Sequence, residues 1–371
     1  MKIILALLML VSLVSQSVYA QVDPLNTYRW NRSNAMTGRG QVDTKPWFEW
    51  WYYKVVLPET NEAFFLVYGV VNPWDEQRTL GGTRASVIFG DFAAMVQAEE
   101  NLPLDTFNAS YDETLVTIKD NVATDKFVKG QITNEQGELF AWDMNVEKDW
   151  AFNATSWATG RGVTNIEWYP AQASARCSGT IQSKGKTYQF SQAPCYQDRN
   201  WGNSFPEWWT WIVSNSFDKH PNTTLAIGGG KPKFFGRLHL IESVAIGLKH
   251  KGVEYSWRPS DLDKIKIDIS FGKWEVVGVN RTHKIEVSAH APMSKFLDLK
   301  FMTPEGKIFH DYEALTGDMT VKLYKRKVPL LTSWELVETL TTHQAGIEYG
   351  SEKQYPIKSL FKSQKTLFSN L

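Results

Sequence analysis

The chain has 371 residues, of which 43% are hydrophobic, and its 40 basic residues balance 40 acidic ones. That length suffices for one large or two ordinary domains, and 16 tryptophans favour β-rich architecture or a binding surface built from rings. The balanced charge argues against nucleic acid or an anionic membrane surface as a partner, and against an acidic, disordered role.

The first twenty residues, MKIILALLMLVSLVSQSVYA, have the features of a secretion signal. Lys2 supplies a short positive region, residues 3–14 are apolar, and Val18 and Ala20 fit the positions that precede a cleavage site. A membrane anchor is the alternative, but the apolar run is short for a bilayer span. We expect cleavage after Ala20 and a mature protein that is secreted or periplasmic.

The remainder of the chain is almost entirely β in pattern. Short runs of aromatic and β-branched residues, such as AFFLVYGVV at 63–71, recur between Gly, Asn and Asp turns. Their number predicts an all-β fold of two barrels or sandwiches packed together. We place the signal peptide at 1–20, an N-terminal domain at 21–190, a C-terminal domain at 191–352 and a helical or disordered tail at 353–371.

The first of two aromatic–acidic stretches is PWFEWWYYKV at 46–55. In a strand, Glu49 shares one face with Trp51 and Tyr53. If that face points into a barrel, the carboxyl lies among rings and out of water. The alternatives are that Glu49 faces solvent or pairs with an arginine.

The two cysteines of the chain, Cys177 and Cys195, lie on either side of a turn-like SKGK at 183–186. Any disulfide must join them, and a hairpin at this turn would bring them close. In an oxidising compartment we expect this disulfide, the alternative being two buried free thiols.

The second aromatic–acidic stretch is YQDRNWGNSFPEWWTW at 196–211. Asp198 and Asn200 share one side of an extended backbone, and Trp209 and Trp211 share one face of the strand that follows. An acid beside such rings is suited to protonating an alkene, since each ring face stabilises a cation by roughly 0.5–2 kcal/mol. The alternative is a structural Asp198 that caps a turn or pairs with an arginine.

Motifs for other chemistry are weak or absent. The seven histidines form no HExxH, HxH or Cys/His cluster, so no metal is expected, and neither GxSxG nor a Rossmann fingerprint is present. IGGGKP at 227–232 lacks the spacing and hydroxyl residue of a Walker A loop, and we interpret it as a flexible β-turn.

Three blocks of the sequence resemble, in order, those of tocopherol cyclases. They are WFEWWYYKVVLPE with FFLVYGVVNP, the central WYP…DRNWGNSFPEWWTW, and GIEYG at 346–350. The resemblance extends over roughly residues 27–352, and a wider superfamily with related blocks includes carotenoid 1,2-hydratases and fungal pericyclases. Trp50 stands where tocopherol cyclases usually have Gly, and here the chain is more similar to the hydratases.

This resemblance implies two lipocalin-like β-barrels with a ligand cavity near their contact. It also implies cofactor-independent, acid-catalysed cyclisation, hydration or isomerisation of a hydrophobic isoprenoid or polyene. Asp198 matches the family's acidic position before Asn-Trp-Gly and is expected to be the general acid, with Glu49 as a second catalytic carboxyl. The expected substrate-binding residues are Trp51, Tyr53, Asn200, Trp201, Trp209 and Trp211.

Two other functions remain open at this point. An apolar barrel cavity is sufficient for a non-catalytic lipid- or isoprenoid-binding protein. Exposed tryptophans would also suit a carbohydrate-binding or structural β-protein. For the first two functions the partner is a hydrophobic small molecule, and membrane contact is expected only during exchange of that molecule.

Overall fold

The computed structural model describes residues 23–37, 40–234, 241–328 and 333–355. The predicted signal peptide lies outside these residues, as does the predicted tail beyond residue 355. No helix in the described part of the chain is both long and apolar enough to cross a membrane. The helices are short: α1 (Arg32–Thr37) and 3-10 turns at Leu104–Thr106, Ser156–Ala158, Pro259–Asp261 and Met293–Lys295.

Two antiparallel sheets make up the fold, which confirms the all-β prediction. The first contains β1 (Phe48–Leu57), β2 (Glu62–Val71), β3 (Arg84–Asp91), β4 (Val96–Leu102), β5 (Phe107–Ala109), β6 (Leu115–Ile118), β7 (Asn121–Thr124), β8 (Phe127–Thr133), β9 (Leu139–Trp150), β10 (Ile166–Ser183) and β11 (Lys186–Gly202). The second contains β12 (Trp208–Ser214), β13 (Thr224–Gly230), β14 (Ser243–His250), β15 (Val253–Trp257), β16 (Lys264–Ser270), β17 (Lys273–Val279), β18 (His283–His290), β19 (Leu297–Met302), β20 (Ile308–Arg326) and β21 (Trp334–Ser351).

Each sheet contains one strand pair that joins distant parts of the sequence. In the first sheet β1 pairs with β11, and in the second β12 pairs with β21, while most other neighbours are consecutive in sequence. The sheets curl, one into a half-barrel and the other into a near-barrel. Curling brings the inward side chains of each sheet around an apolar core, which is the arrangement expected for long meanders with buried faces.

The change from one sheet to the other lies between Gly202 and Trp208. The division predicted at 190–191 falls inside β11, which stays paired with β1 and β10 up to Gly202. The chain therefore passes from the first sheet to the second about a dozen residues later than expected. The reason is that β11 continues from Lys186 to Gly202, so that QDRNWG belongs to the first sheet.

The β10–β11 hairpin carries the predicted disulfide. Lys184 and Gly185 form its two-residue turn with φ of 51° and 74°, as a type I′ turn requires. The hairpin brings Cys177 and Cys195 to a Cα separation of 5.7 Å, and the two are bonded. The disulfide prediction is confirmed.

Strand β1 is buried along its whole length and divides two cores. Trp51 and Tyr53 face the core enclosed by the first sheet, together with Phe64 and Phe89. Trp50 and the other even-numbered residues of β1 face the core that is shared with the second sheet. This double burial explains why WFEWWYYKVV lacks the polar alternation of a strand with one solvated face.

Candidate active site

A cavity of about 330 Å³ lies between the two sheets, within the size range of small-molecule sites. From the first sheet it is lined by Trp50, Tyr52, Ile166, Trp168, Asp198 and Asn200. From the second sheet it is lined by Trp209, Trp211, Gly228, Asp311, Glu313 and Glu348. The wall is therefore mainly aromatic, with a group of carboxyls from three strands.

Asp198 is held by indole and phenol groups. Its Oδ2 accepts hydrogen bonds from Trp168 Nε1 and Tyr196 Oη, both at 2.7 Å, and Trp211 Nε1 donates to Tyr196 Oη at 3.0 Å. The second oxygen, Oδ1, is buried and has no hydrogen-bond partner among the described residues. One carboxyl oxygen is thus fixed, and the other is buried without a partner in a residue that lines the cavity.

Burial raises the pKa of Asp198 to about 7. The hydrogen bonds from Trp168, Tyr196 and Trp211 favour the ionised form and lower the pKa, but they only partly offset the loss of hydration. A carboxyl with this pKa exchanges its proton near neutral pH, which is the range in which a general acid is most effective.

Three further carboxyls extend from the second sheet into the same cavity. Asp311 and Glu313 lie two residues apart on β20, and Glu348 lies on the neighbouring β21, directly across from Glu313. Trp209 Nε1 donates to Asp311 Oδ1 at 3.2 Å. Burial raises the pKa of Asp311 to about 7, and Asp311 and Glu348 hydrogen-bond to each other.

The pKa values of Glu313 and Glu348 are raised well above the ordinary range, first by burial and then by the neighbouring carboxyls. Two carboxyls that share a hydrogen bond need one proton between them, so Glu348 is protonated when it donates to Asp311. Glu313 accepts a hydrogen bond from Tyr52 Oη. The acidic end of the cavity therefore favours the protonated forms of its carboxyls.

Lys54 lies behind these acids and completes the cluster. Its side chain is 1% exposed, and its ammonium lies 5.8 Å from the centre of the Trp211 ring, with no hydrogen-bond partner among the described residues. Burial lowers the pKa of Lys54 to about 7, whereas Glu313 raises it. The cluster thus contains a basic group that also titrates near neutrality.

The aromatic wall is a set of rings from both sheets. Trp50 stacks on Phe301 at a centroid distance of 5.2 Å and lies 6.1 Å from Trp209. Gly228 allows Trp168 to approach β13, because a Cβ at this position would lie 2.7 Å from the indole. The glycines of IGGGKP therefore form part of strand β13 and of the cavity wall, so their interpretation as a flexible turn is wrong.

Apolar side chains at the edge of the cavity are exposed to solvent. Trp157 is 58% exposed and Ile241 is 54% exposed, and both belong to the lining. Trp157 Nε1 donates to Ser260 O at 3.3 Å and so connects two of the loops at this edge. Exposed apolar groups beside a cavity are typical of an entrance for a hydrophobic ligand.

The residues predicted from sequence fall into two groups. Asp198, Asn200, Trp209 and Trp211 line the cavity. The other predicted residues are directed away from it: Glu49, Trp51, Tyr53 and Trp201 lie on the opposite faces of β1 and β11 and are absent from the described lining.

Glu49 is half of a buried ion pair with Arg199, and both side chains are completely buried. The carboxylate also accepts hydrogen bonds from the backbone N–H groups of Arg29 and Trp30. The guanidinium lies 4.7 Å from the Trp51 ring centre and 5.1 Å from that of Trp201. In this arrangement the Glu49 carboxylate joins the N-terminal segment to the first sheet, away from the cavity.

A model of the tocopherol cyclase-like family matches residues 117–351, which include both β10–β11 and the three acids of the second sheet. The chain belongs to the tocopherol cyclase-like family. The resemblance found in the sequence is thereby confirmed. The chloroplastic tocopherol cyclase of Zea mays is 22% identical over 360 residues, which cover 82% of this chain and 75% of the maize protein.

Two solved structures match the chain at low sequence identity. CghA superposes with a TM-score of 0.50 at 8% identity, over 85% of this chain and 91% of that one. Kievitone hydratase from Nectria haematococca has a TM-score of 0.47 at 12% identity, over 82% of this chain and 88% of that one. At this level of identity the likeness to CghA concerns the fold alone.

Sequence reasoning missed the carboxyls of the second sheet, although this family-matched region contains a signal for each. FHDYEAL places Asp311 and Glu313 two residues apart in a stretch of strand with mostly apolar neighbours, so both face the same side. Glu348 is the acid within GIEYG. An acidic residue within a mostly apolar stretch is expected to be buried. Its pKa is then expected to be shifted, as is common at functional sites.

Proposed function

We propose that this member of the tocopherol cyclase-like family is an enzyme that protonates a carbon–carbon double bond of a hydrophobic isoprenoid or polyene. The outcome is a cyclisation, hydration or isomerisation, and the chain's own carboxyls supply the acid without a cofactor. The observation that carries the proposal is the environment of Asp198, a buried acid with one oxygen fixed by donors and the other unpaired at an aromatic cavity.

Asp198 acts as the general acid in this proposal. Its pKa of about 7 gives it both a proton to donate near neutral pH and sufficient acidity to donate it. The donors Trp168 and Tyr196 stabilise the carboxylate that forms when the proton leaves. Asp311, Glu313 and Glu348 act as the store from which Asp198 regains a proton.

The aromatic wall stabilises the cation produced by protonation. Trp50, Trp209 and Phe301 line the cavity and contact one another, and each cation–π contact contributes roughly 0.5–2 kcal/mol. An internal phenol or a water molecule then captures the cation and loses its proton to the Asp198 carboxylate, or, in an isomerisation, a carbon next to the cation loses a proton to that carboxylate. The name of the maize relative, a tocopherol cyclase, supports an isoprenoid substrate with a phenol group.

Export is part of the same proposal. The signal-like residues 1–20 and the Cys177–Cys195 disulfide both support a protein that works outside the cytoplasm. In a secreted or periplasmic location the substrate reaches the protein from a membrane, and the exposed apolar edge at Trp157 and Ile241 suits that transfer.

The proposal is tested by organic extraction of the purified chain, followed by incubation with the class of compound that mass spectrometry identifies in the extract. We expect an isoprenoid or polyene, and conversion of added compound into a cyclised, hydrated or isomerised product. Recovery of every added compound unchanged would instead support a lipid carrier on the same scaffold. Binding of oligosaccharides, read from tryptophan fluorescence, would support the carbohydrate-binding alternative.

A further inference from the structure

Two histidines and a glutamate meet at one end of the second sheet, away from the cavity. His220 lies in the connection between β12 and β13, His250 is the last residue of β14, and Glu338 lies on β21. Their possible ligand atoms all lie within 4.8 Å of one another. We propose that His220, His250 and Glu338 form a zinc site that stabilises this end of the sheet.

The positions of the donor atoms suit a single ion. His250 Nε2 lies 2.8 Å from Glu338 Oε2, and His220 Nε2 lies 3.2 Å from Glu338 Oε1. Around a tetrahedral zinc ion, with bonds near 2.0–2.1 Å, neighbouring ligand atoms are roughly 3.4 Å apart. Small side-chain adjustments bring these three groups to that spacing, and water would take the fourth position.

The second ring nitrogen of the buried histidine has a hydrogen-bond partner, as is usual for a zinc-bound histidine. His250 is 3% exposed in its side chain, and its Nδ1 lies 2.7 Å from Thr223 Oγ1. When Nδ1 carries the proton and donates to Thr223, Nε2 presents its lone pair toward Glu338 and His220. The hydroxyl thus holds the ring orientation, and a hydrogen bond from Nδ1–H to it would select the tautomer that a metal requires.

Glu338 is accessible from the surface, since its side chain is 20% exposed. Lys251 Nζ lies 2.6 Å from Glu338 Oε2 and competes with a metal for this oxygen, but its side chain is 64% exposed and is free to move away. Soft and borderline metals favour imidazole, and zinc also accepts a carboxylate.

The site is separate from the proposed chemistry. The lining of the cavity includes Ala245 on β14, whereas His250 ends that strand five residues later, roughly 17 Å along an extended backbone. In the sheet, β13 and β12 lie between β14 and β21. A bond through zinc would therefore connect strands that are not neighbours and would stabilise the curvature of the sheet.

Zinc titration of the purified chain, after removal of metals with a chelator, tests this inference. We expect one Zn²⁺ per chain by elemental analysis and a higher melting temperature with Zn²⁺ present. His220→Gln is expected to lower the affinity at least about 100-fold, because it removes a ligand, and Thr223→Val about 10- to 100-fold, because it removes an outer partner. Lys251→Gln is expected to raise the affinity.

His343→Gln is the matched control, because His343 forms a similar contact with Asp318 at 2.6 Å but is an exposed pair. It is expected to bind Zn²⁺ as the unmodified chain does. Equal affinities of the unmodified chain and the His220→Gln chain would overturn the proposal, as would an effect of His343→Gln as large as that of His220→Gln. If His250→Gln fails to fold, His220→Gln and Glu338→Gln decide the question, since their side chains are less buried.

Discussion

Replacing Asp198 with Asn is expected to lower turnover by roughly 100- to 10,000-fold, the usual contribution of a general acid. The amide has nearly the same shape as the carboxyl, and its oxygen still accepts hydrogen bonds from Trp168 and Tyr196. Folding and ligand binding should therefore change little. Rates measured with the compound recovered by extraction, together with its dissociation constant, separate loss of chemistry from loss of binding.

Asp311→Asn is the matched comparison for this prediction, because Asp311 is also buried in the cavity wall and also has a pKa of about 7. Its expected effect on turnover is smaller, since Asp311 supplies protons to the acid and does not donate to the substrate. If the Asp198→Asn chain kept full activity and the Asp311→Asn chain lost it, the general acid would be Asp311 of the second sheet and not Asp198.

The same assignment fixes the direction of the pH dependence. The reactive form of Asp198 is protonated, and its pKa is raised by burial to about 7. kcat should therefore be constant at low pH and fall as the pH rises through about 7, by about tenfold per pH unit above it. A rate that rises over this range would instead indicate a general base.

Replacing Glu49 with Gln is expected to lower the free energy of unfolding by about 3–5 kcal/mol, because Arg199 remains buried without its counter-charge. That corresponds to a fall of roughly 10 °C in Tm. Turnover per folded molecule should remain close to that of the unmodified chain, because the carboxylate is directed away from the cavity. Chemical denaturation gives the stability, and initial rates give the activity.

A double variant distinguishes the ion pair from a catalytic role. The Glu49→Gln, Arg199→Met variant lacks both charges. Its loss in free energy of unfolding should be smaller than the sum of the losses in the two single variants. The sequence-based assignment of Glu49 as a second catalytic carboxyl makes a different prediction. If the Glu49→Gln chain keeps its stability but loses turnover, that assignment is right and the structural role is wrong.

Strand periodicity predicts which residues share a face, but not which face meets the cavity. Glu49, Trp51 and Tyr53 do share a face of β1, as the alternation indicates, yet that face encloses the core of the first sheet. The second sheet packs on the other face, at Trp50 and Tyr52. Both faces are apolar, so hydrophobicity offers no means of choosing between them.

The stretch at 196–211 allows four cavity-lining residues to be predicted, because these residues are close to one another in sequence. Asp198 and Asn200 alternate on one strand, and Trp209 and Trp211 alternate on the strand that begins the next sheet. Asp311 and Glu348 are at least 100 residues away from them in the sequence. Only the pairing of β12 with β21 and of β21 with β20 brings these acids to the same cavity.

The most direct test of the central claim is turnover in D₂O. A carboxyl that donates its proton to a double bond first exchanges that proton with solvent, so the product should carry deuterium on carbon. We predict one such deuterium in the product of the unmodified chain and negligible product from the Asp198→Asn chain. A product formed in D₂O without deuterium on carbon would contradict protonation by Asp198.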